Sequence, residues 1–307
     1  MGRYRNLELA FSPWATGGIT ALETLNILSA FPSEQVGCDS PHGLHLRAEA
    51  VRYAFRDRLT YLGDPDRVEA PWGALASTAY AAAVAGGLRR RGPRSNTPAP
   101  DPWRFEAKTR RAVDPGVAAG PSGDCTTHIG AVDRQRNLVS LTHTAVSLFG
   151  SRVVVPGAGI LLSNGMIWFD PEPGHPNSVG PGKRALVNMV PVLAFRRGEP
   201  YLTLGAPGGR KIVSAIPQVL SNLADMKLTP QGAIEAPRLH TEDGDLWVDD
   251  RVGAKTLAAL ARMGHPVVPR NENLSTLFFS RPVAIRVTNK GLEAGLDHLR
   301  ASAAVGY

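Results

Sequence analysis

Cysteine is scarce in this sequence. Cys38 and Cys125 are the only two among 307 residues. They are too few for a disulfide framework and too isolated for a metal site, so a reducing compartment is the default expectation. No apolar run reaches the roughly 18 residues of a membrane span. The opening MGRYRNLELAFSPW lacks the apolar stretch of a secretory signal. No membrane partner and a cytoplasmic location are therefore expected. Familiar catalytic signatures are missing too. There is no HExxH, no CxxC and no GxSxG, which removes the common zinc patterns and the serine nucleophile elbow. Nothing calls for a cofactor or a metal.

What is present suits a soluble globular protein: 43 % hydrophobic and 20 % charged residues. The net charge of +7 is concentrated in arginine tracts, Arg89-Arg90-Arg91 with Arg94, and Arg110-Arg111. These lie in a stretch rich in Pro, Gly and Ala. A nucleic-acid surface would interleave aromatics with the basic residues on one face. That pattern is missing, so the tracts read as a solvated linker with no nucleic-acid partner. Their charge can still steer anionic substrates.

Residues 8–88 read as helical. Ser40-Pro41 supplies an N-cap and a proline at the first helical position. Leu44, Ala48, Val51, Phe55 and Leu59 then recur at helical spacing. Gly18 to Phe31 spaces Ile19, Leu22, Leu25 and Leu28 similarly, and Ser77 to Leu88 reads as a third helix. Residues 89–125 are breaker-rich and polar, as in an exposed, mobile connection. From Thr126 the pattern turns to strands. THIGAVD and LVSLTHT flank a polar turn at Arg134 to Asn137, as in a hairpin. RVVVPGAGILLS gives two short apolar runs around a turn, and VPVLAF and PYLTLG flank another. GAPGG leads into a helix with Ile212, Ile216, Val219, Leu220 and Leu223 on one face, which Pro217 should kink. Capped helices follow at Thr229-Pro230 and near Lys255 to Met263, then a last strand at Val283 to Val287. Strands first and helices afterwards suit an α+β fold, antiparallel sheet covered by helices. Two regions result, 1–125 and 126–307.

Two segments could carry chemistry. Gly205-Ala206-Pro207-Gly208-Gly209 sits at a strand-to-helix junction without the Lys-Ser/Thr of a P-loop or the spacing of a dinucleotide fingerprint. It reads either as a tight turn with close backbone approach or as a cradle of N–H groups for an anion. Cys125-Thr126-Thr127-His128 ends the polar linker in two hydroxyls that open a strand. Threonine is also common at an ordinary strand start.

TTHIGAVDRQRNLVSLTHT resembles the opening of the small subunit of γ-glutamyltransferases, a family of N-terminal-nucleophile enzymes. SRVVVPGAGILLSNGM, PGKRALVNMVPVLAF, LGAPGGRKIVSAIPQVLSN, EAPRLH and the terminal AAVGY follow in the family's order. ATGGITALETLNILSAF and AEAVRYAFRDRLTYLGDPDRVEAPW resemble the end of its large subunit. The resemblance implies a four-layer αββα sandwich, with 1–125 the mostly helical end of a large-subunit-like region and 126–307 the nucleophile domain. It also implies self-cleavage between Cys125 and Thr126. The freed Thr126 is then the nucleophile and its α-amine the base. An amine with a pKa of about 7.7–8.0 is well matched to that work. Thr144 matches the threonine that hydrogen-bonds the nucleophile. Gly208 and Gly209 match the glycines whose N–H groups form the oxyanion hole, and His128 matches a family histidine of structural role.

The departures concern the clamp on the amino-acid head of glutamate. Where the family has Leu-Asn after Thr144, this chain has Ala145-Val146. In the family's Asn-Asn-Gln/Glu-Met-Asp-Asp-Phe run, the Gln/Glu becomes Gly165 and the second aspartate becomes Trp168. The family's Ser-Ser pair becomes Val187-Asn188. Val146, Gly165, Trp168 and Asn188 are thus the candidate substrate-binding positions. A zwitterion buried without polar partners is disfavoured. The expected function is a self-processing threonine hydrolase or acyltransferase cleaving a γ-glutamyl or related amide. A non-glutamyl amidohydrolase or C–C bond hydrolase of specialised metabolism is an alternative, and an unprocessed, inactive subunit is another. The family match begins near residue 8, without the long N-terminal portion of complete members. Either a second, large-subunit polypeptide supplies that portion and is a partner beside the small-molecule amide, or the sequence is a truncated reading of a longer gene.

Overall fold

The structure is a computed structural model that describes residues 1–91, 100–106, 125–299 and 301–306. Arg94, Arg110, Arg111 and most of the stretch read as a mobile connection lie outside these residues.

Strand structure begins earlier than expected. β1 (Gly2–Tyr4) and β2 (Leu7–Phe11) form a hairpin, so the helical reading of residues 8–88 fails at its start. Five residues carry too little periodicity to announce a strand. The partner that stabilises β2 is remote: Leu9 lies opposite Ala194. Helices α1 (Gly18–Ser29) and α2 (Pro41–Tyr61) then form as expected. The Ser40 hydroxyl accepts from the Gly43 N–H at 3.0 Å, and proline opens the helix. A single turn, α3 (Trp72–Leu75), precedes α4 (Thr78–Arg91). Arg89 stacks over Phe31, 4.9 Å from the ring centre. Residues 100–106 correct the linker reading. Asp101 caps a short 3-10 turn in which Trp103 is buried, Phe105 packs edge-on to Tyr80, and the Glu106 carboxylate accepts from the Ala74 N–H at 2.7 Å.

The hairpin β3 (Thr126–Val132) and β4 (Leu138–Thr144) forms at the expected turn, as do β5 (Val192–Arg196) and β6 (Glu199–Gly205). The apolar runs around Val153 and Ile160 make only an isolated bridge, Val154 to Leu161, and stay exposed. α5 (Lys211–Ala224) continues through Pro217 with its whole apolar face buried. α6 (Pro230–Glu235) follows its Thr229 cap. Beyond it the expected run of helices gives way to a small sheet of β7 (Leu239–His240), β8 (Leu246–Asp249) and β9 (Val267–Arg270), with α7 (Ala254–Arg262) between the last two. The final strand β10 (Val283–Thr288) has a hairpin partner, β11 (Gly291–Leu296).

The main sheet runs β1-β2-β5-β6-β10-β11, antiparallel throughout. Alternation along β6 shows its two faces. Leu202 and Leu204 point into a core shared with Leu25, Leu28, Ile216 and Leu220 of α1 and α5. Thr203 points the other way and donates to the Val139 carbonyl of β4 at 2.7 Å. The β3–β4 hairpin is therefore stacked on the face opposite the helices. Its own outer face is apolar and open: Ile129 and Leu141 lie opposite each other and are 53 % and 51 % exposed. Helix, sheet and the start of a second sheet are three of the four layers of the αββα sandwich. The fourth is not among the described residues. No helix among them is long and apolar enough to cross a membrane.

Candidate active site

The hairpin register positions the candidate nucleophile. Thr126 lies opposite Thr144, and the pairing continues in step to Val132 opposite Leu138. The turn is held by Asp133, which accepts from the Asn137 backbone and side-chain N–H groups at 2.8 and 2.7 Å. A period of two then sends Thr126, His128 and Gly130 to the inner face with Thr144, Thr142 and Ser140. A slip of one residue would reverse every one of them.

At the strand ends, three groups converge. The Thr126 hydroxyl donates to the Thr144 hydroxyl oxygen at 3.0 Å. Thr144 in turn donates to the Cys125 carbonyl oxygen at 3.2 Å. The Val146 N–H donates to the Thr144 oxygen at 2.8 Å, and the Cys125 N–H to the Val146 carbonyl at 3.3 Å. Thr144 thus bridges the hydroxyl of residue 126 and the carbonyl of the peptide bond before it. Val146 is buried with φ +74, a region costly for a β-branched side chain.

His128 packs its ring onto Gly205, where an added Cβ would come within 2.1 Å of the ring. Its Nδ1 lies 2.8 Å from Thr142 Oγ1, and its buried Nε2 has no hydrogen-bond partner among the described residues. Burial pushes its pKa down to about 4, so the ring is neutral at neutral pH. An unfolded histidine binds a proton near pH 6.5, whereas the folded one resists until about pH 4. Stability is therefore complete above about pH 6.5 and falls as the pH drops toward 4, by roughly 3 kcal/mol at most. Thermal unfolding followed by circular dichroism should show this decline, and His128→Gln should flatten it.

The glycine loop lies beside the hairpin. Pro207 shares with Thr126, Thr127 and His128 a cavity of about 710 Å³. Gly208 has φ +138 and Gly209 φ +59. An added Cβ on Gly208 would meet Ser280 Cα at 2.6 Å, so the loop needs glycine there. Ser280 clamps it by donating to the Pro207 carbonyl at 2.7 Å, as does the Arg281 N–H at 3.0 Å. Just past the loop, Arg210 pairs with Glu242 at 2.7 Å. Glu242 lies 3.4 Å from His240, whose Nδ1 is 2.6 Å from the Ser214 hydroxyl. None of these supports stands out in the sequence, because each partner is remote along the chain.

The four clamp positions separate. Gly165 and Trp168 line a second cavity of about 550 Å³ with Trp14, Met166, Phe169 and Val187. Val146 belongs to the Thr144 turn. Asn188 is buried and lines neither cavity; its side-chain carbonyl accepts from Arg58 at 3.1 Å. Among the described residues Arg58 hydrogen-bonds no carboxylate, and burial lowers its pKa to about 9. Trp14 was not singled out in the sequence. It is 58 % exposed at φ +65, a strained setting of the kind found at ligand sites. Trp14→Asn should raise the thermal midpoint by roughly 2 °C, as about 1 kcal/mol of strain is relieved.

Comparison with known proteins bears on the family and the fold. The family model described as Gamma-glutamyltranspeptidase matches residues 1–307. The chain is 34 % identical over 288 residues to the glutathione hydrolase proenzyme of Escherichia coli (strain K12), covering 90 % of this chain and 47 % of that one. It is 35 % identical over 270 residues to the acylase ACY 1 proenzyme of Pseudomonas sp. (strain SE83), covering 87 % and 45 %. The crystal structure of cephalosporin acylase from Bacillus halodurans superposes with a TM-score of 0.77 at 26 % identity, over 99 % of this chain and 52 % of that one. The chain spans about half the length of the curated relatives it matches. Its fold is the corresponding part of the αββα sandwich. From the family match over its whole length and these identities it follows that the chain belongs to the gamma-glutamyltranspeptidase family.

Proposed function

We propose that this chain is the nucleophile-bearing part of a self-processing threonine hydrolase or acyltransferase that cleaves an amide through an acyl-enzyme on Thr126. The observation that supports it most is the position of Thr144 between the Thr126 hydroxyl and the Cys125 carbonyl, 3.0 and 3.2 Å away. In that arrangement Thr126 Oγ attacks the Cys125 carbonyl carbon. Its proton is relayed by the Thr144 hydroxyl, which also hydrogen-bonds the carbonyl oxygen, and ends on the departing Thr126 nitrogen. The C–N bond breaks, leaving an ester on Thr126 and a free α-amine. Water then hydrolyses the ester to the Cys125 carboxylate and a restored hydroxyl.

The same atoms serve the substrate. The new amine, with a pKa of about 8, takes the hydroxyl proton as Thr126 attacks the amide carbon. The Gly208 and Gly209 N–H groups receive the developing oxyanion, where a donor contributes about 3 kcal/mol. The amide C–N bond then breaks, the leaving amine takes the proton held by the Thr126 ammonium, and water or an amine takes the acyl group and restores the Thr126 hydroxyl. Regions 1–125 and 126–307 share one core and one sheet, so the two products should remain associated. The open face around Ile129, Val139 and Leu141 calls for the missing layer, and we propose a large-subunit polypeptide as its cover.

Intact-mass measurement of the chain, alone and with the large-subunit half of a relative, tests the reading. The expected result is two fragments, 1–125 and 126–307, the second beginning with a free threonine. A bond that stays whole in both preparations would overturn it.

A further inference from the structure

We propose that the cavity beside the Trp14 loop seats the acyl group of the substrate, and that this group is uncharged and aromatic or branched-aliphatic. The proposal rests on Thr126 being the nucleophile. Trp14, Met166, Trp168, Phe169 and Val187 line about 550 Å³ of space, within the range of small-molecule sites. Arg184 is the one ionisable side chain among the described lining residues, and its charge is already met. Its Nε and Nη2 donate to Asp64 at 3.1 and 2.8 Å, and Nη2 also pairs with Asp66. Among the described lining residues no cation is left free for an α-carboxylate, and no carboxylate for an α-ammonium. An amino-acid head would lose its hydration there without replacement. An aromatic or branched group would instead cover Met166 and Trp14, 61 % and 58 % exposed, which is favourable on area and ring contacts alike.

The cavity is tied to the reacting strand and held open. The Asn164 N–H donates to the Ala145 carbonyl at 3.0 Å and its amide to Ser147 at 3.0 Å. Gly165 is thereby fixed next to the strand end that carries Thr144. On the opposite side, Arg58 donates to the Thr16 and Val187 carbonyls at 3.0 and 2.7 Å, and the Val187 N–H donates to Ala15 at 2.8 Å. The two walls are joined before any ligand arrives, which lowers the ordering cost of binding.

The test uses the full chain carrying Thr126→Ala, so that neither processing nor turnover intervenes. Phenylacetamide and L-glutamine are titrated by calorimetry and by saturation-transfer NMR. Phenylacetamide is expected to bind saturably, with ring protons receiving the strongest transfer, and glutamine at least about tenfold more weakly. Trp168→Ala should weaken phenylacetamide by about tenfold, the loss of roughly one good ring contact. If that variant melts below the working temperature, Met166→Glu at an exposed position carries the same comparison. Glutamine binding as tightly as phenylacetamide, affinity indifferent to both substitutions, or no saturable binding of either probe would each overturn the proposal. Because binding is read without the nucleophile, such a failure leaves Thr126 untouched. An uncut native chain that still binds phenylacetamide would instead remove the nucleophile reading.

Discussion

A Thr126→Ala chain is expected to remain one uncut polypeptide under conditions that divide the native sequence into 1–125 and 126–307. Alanine removes the only hydroxyl that hydrogen-bonds Thr144 from residue 126, at 3.0 Å. Loss of a nucleophile that acts as part of a unit lowers turnover on the order of 10⁶-fold. Thr126→Ser keeps the hydroxyl but drops the methyl group that restricts χ1, so cleavage should slow yet persist. Thr144→Val separates the roles further: Thr126 stays, but its relay to the Cys125 carbonyl at 3.2 Å is gone. Denaturing gels over a time course read all three. Equal cleavage of the alanine variant and the native chain would discard Thr126 as nucleophile.

The second large effect is expected at Gly208. Alanine there must adopt φ +138 with its Cβ 2.6 Å from Ser280 Cα. The backbone strain alone is worth roughly 1–3 kcal/mol, and overpacking adds about as much again. Relief requires the loop to move, and the N–H groups move with it. A shift in an oxyanion donor costs about 10²–10³ in rate. Gly208→Ala should therefore both lower the unfolding midpoint in urea and suppress amide cleavage at least about a hundredfold. Ser280→Gly distinguishes the causes, since it removes side-chain atoms that the added methyl would meet at 2.8 and 3.0 Å and should recover part of the stability. Full activity in Gly208→Ala would remove the loop from the mechanism.

Local signals in the sequence were readable where their partners are local. Ser40 and Thr229 cap helices within three residues of themselves. The β3–β4 hairpin needs only its own alternation and a turn closed by Asp133 and Asn137. The strands that escaped notice, β1, β2, β7, β8, β9 and β11, are two to six residues long, too short for alternation to announce them, and β2 and β9 pair with segments remote or separated by a helix. Trp103 looked like part of an exposed linker because the groups that bury it, around α3 and α4, lie on another segment.

The same division runs through the site. Sequence alone determined which residues are available: two threonines eighteen apart at the two ends of one hairpin, a glycine-rich turn before a helix, and apolar side chains such as Val146 and Trp168. Tertiary structure decided what meets what. It set Thr144 against the Cys125 carbonyl, brought Gly205 under the His128 ring, and bolted Thr16 to Val187 through Arg58. It also gathered Trp14 and Trp168 around one cavity and turned Asn188 away from it. Hydrogen bonds and packing act over a few ångströms, and only the folded chain brings residues 14, 58, 168 and 187 into one neighbourhood.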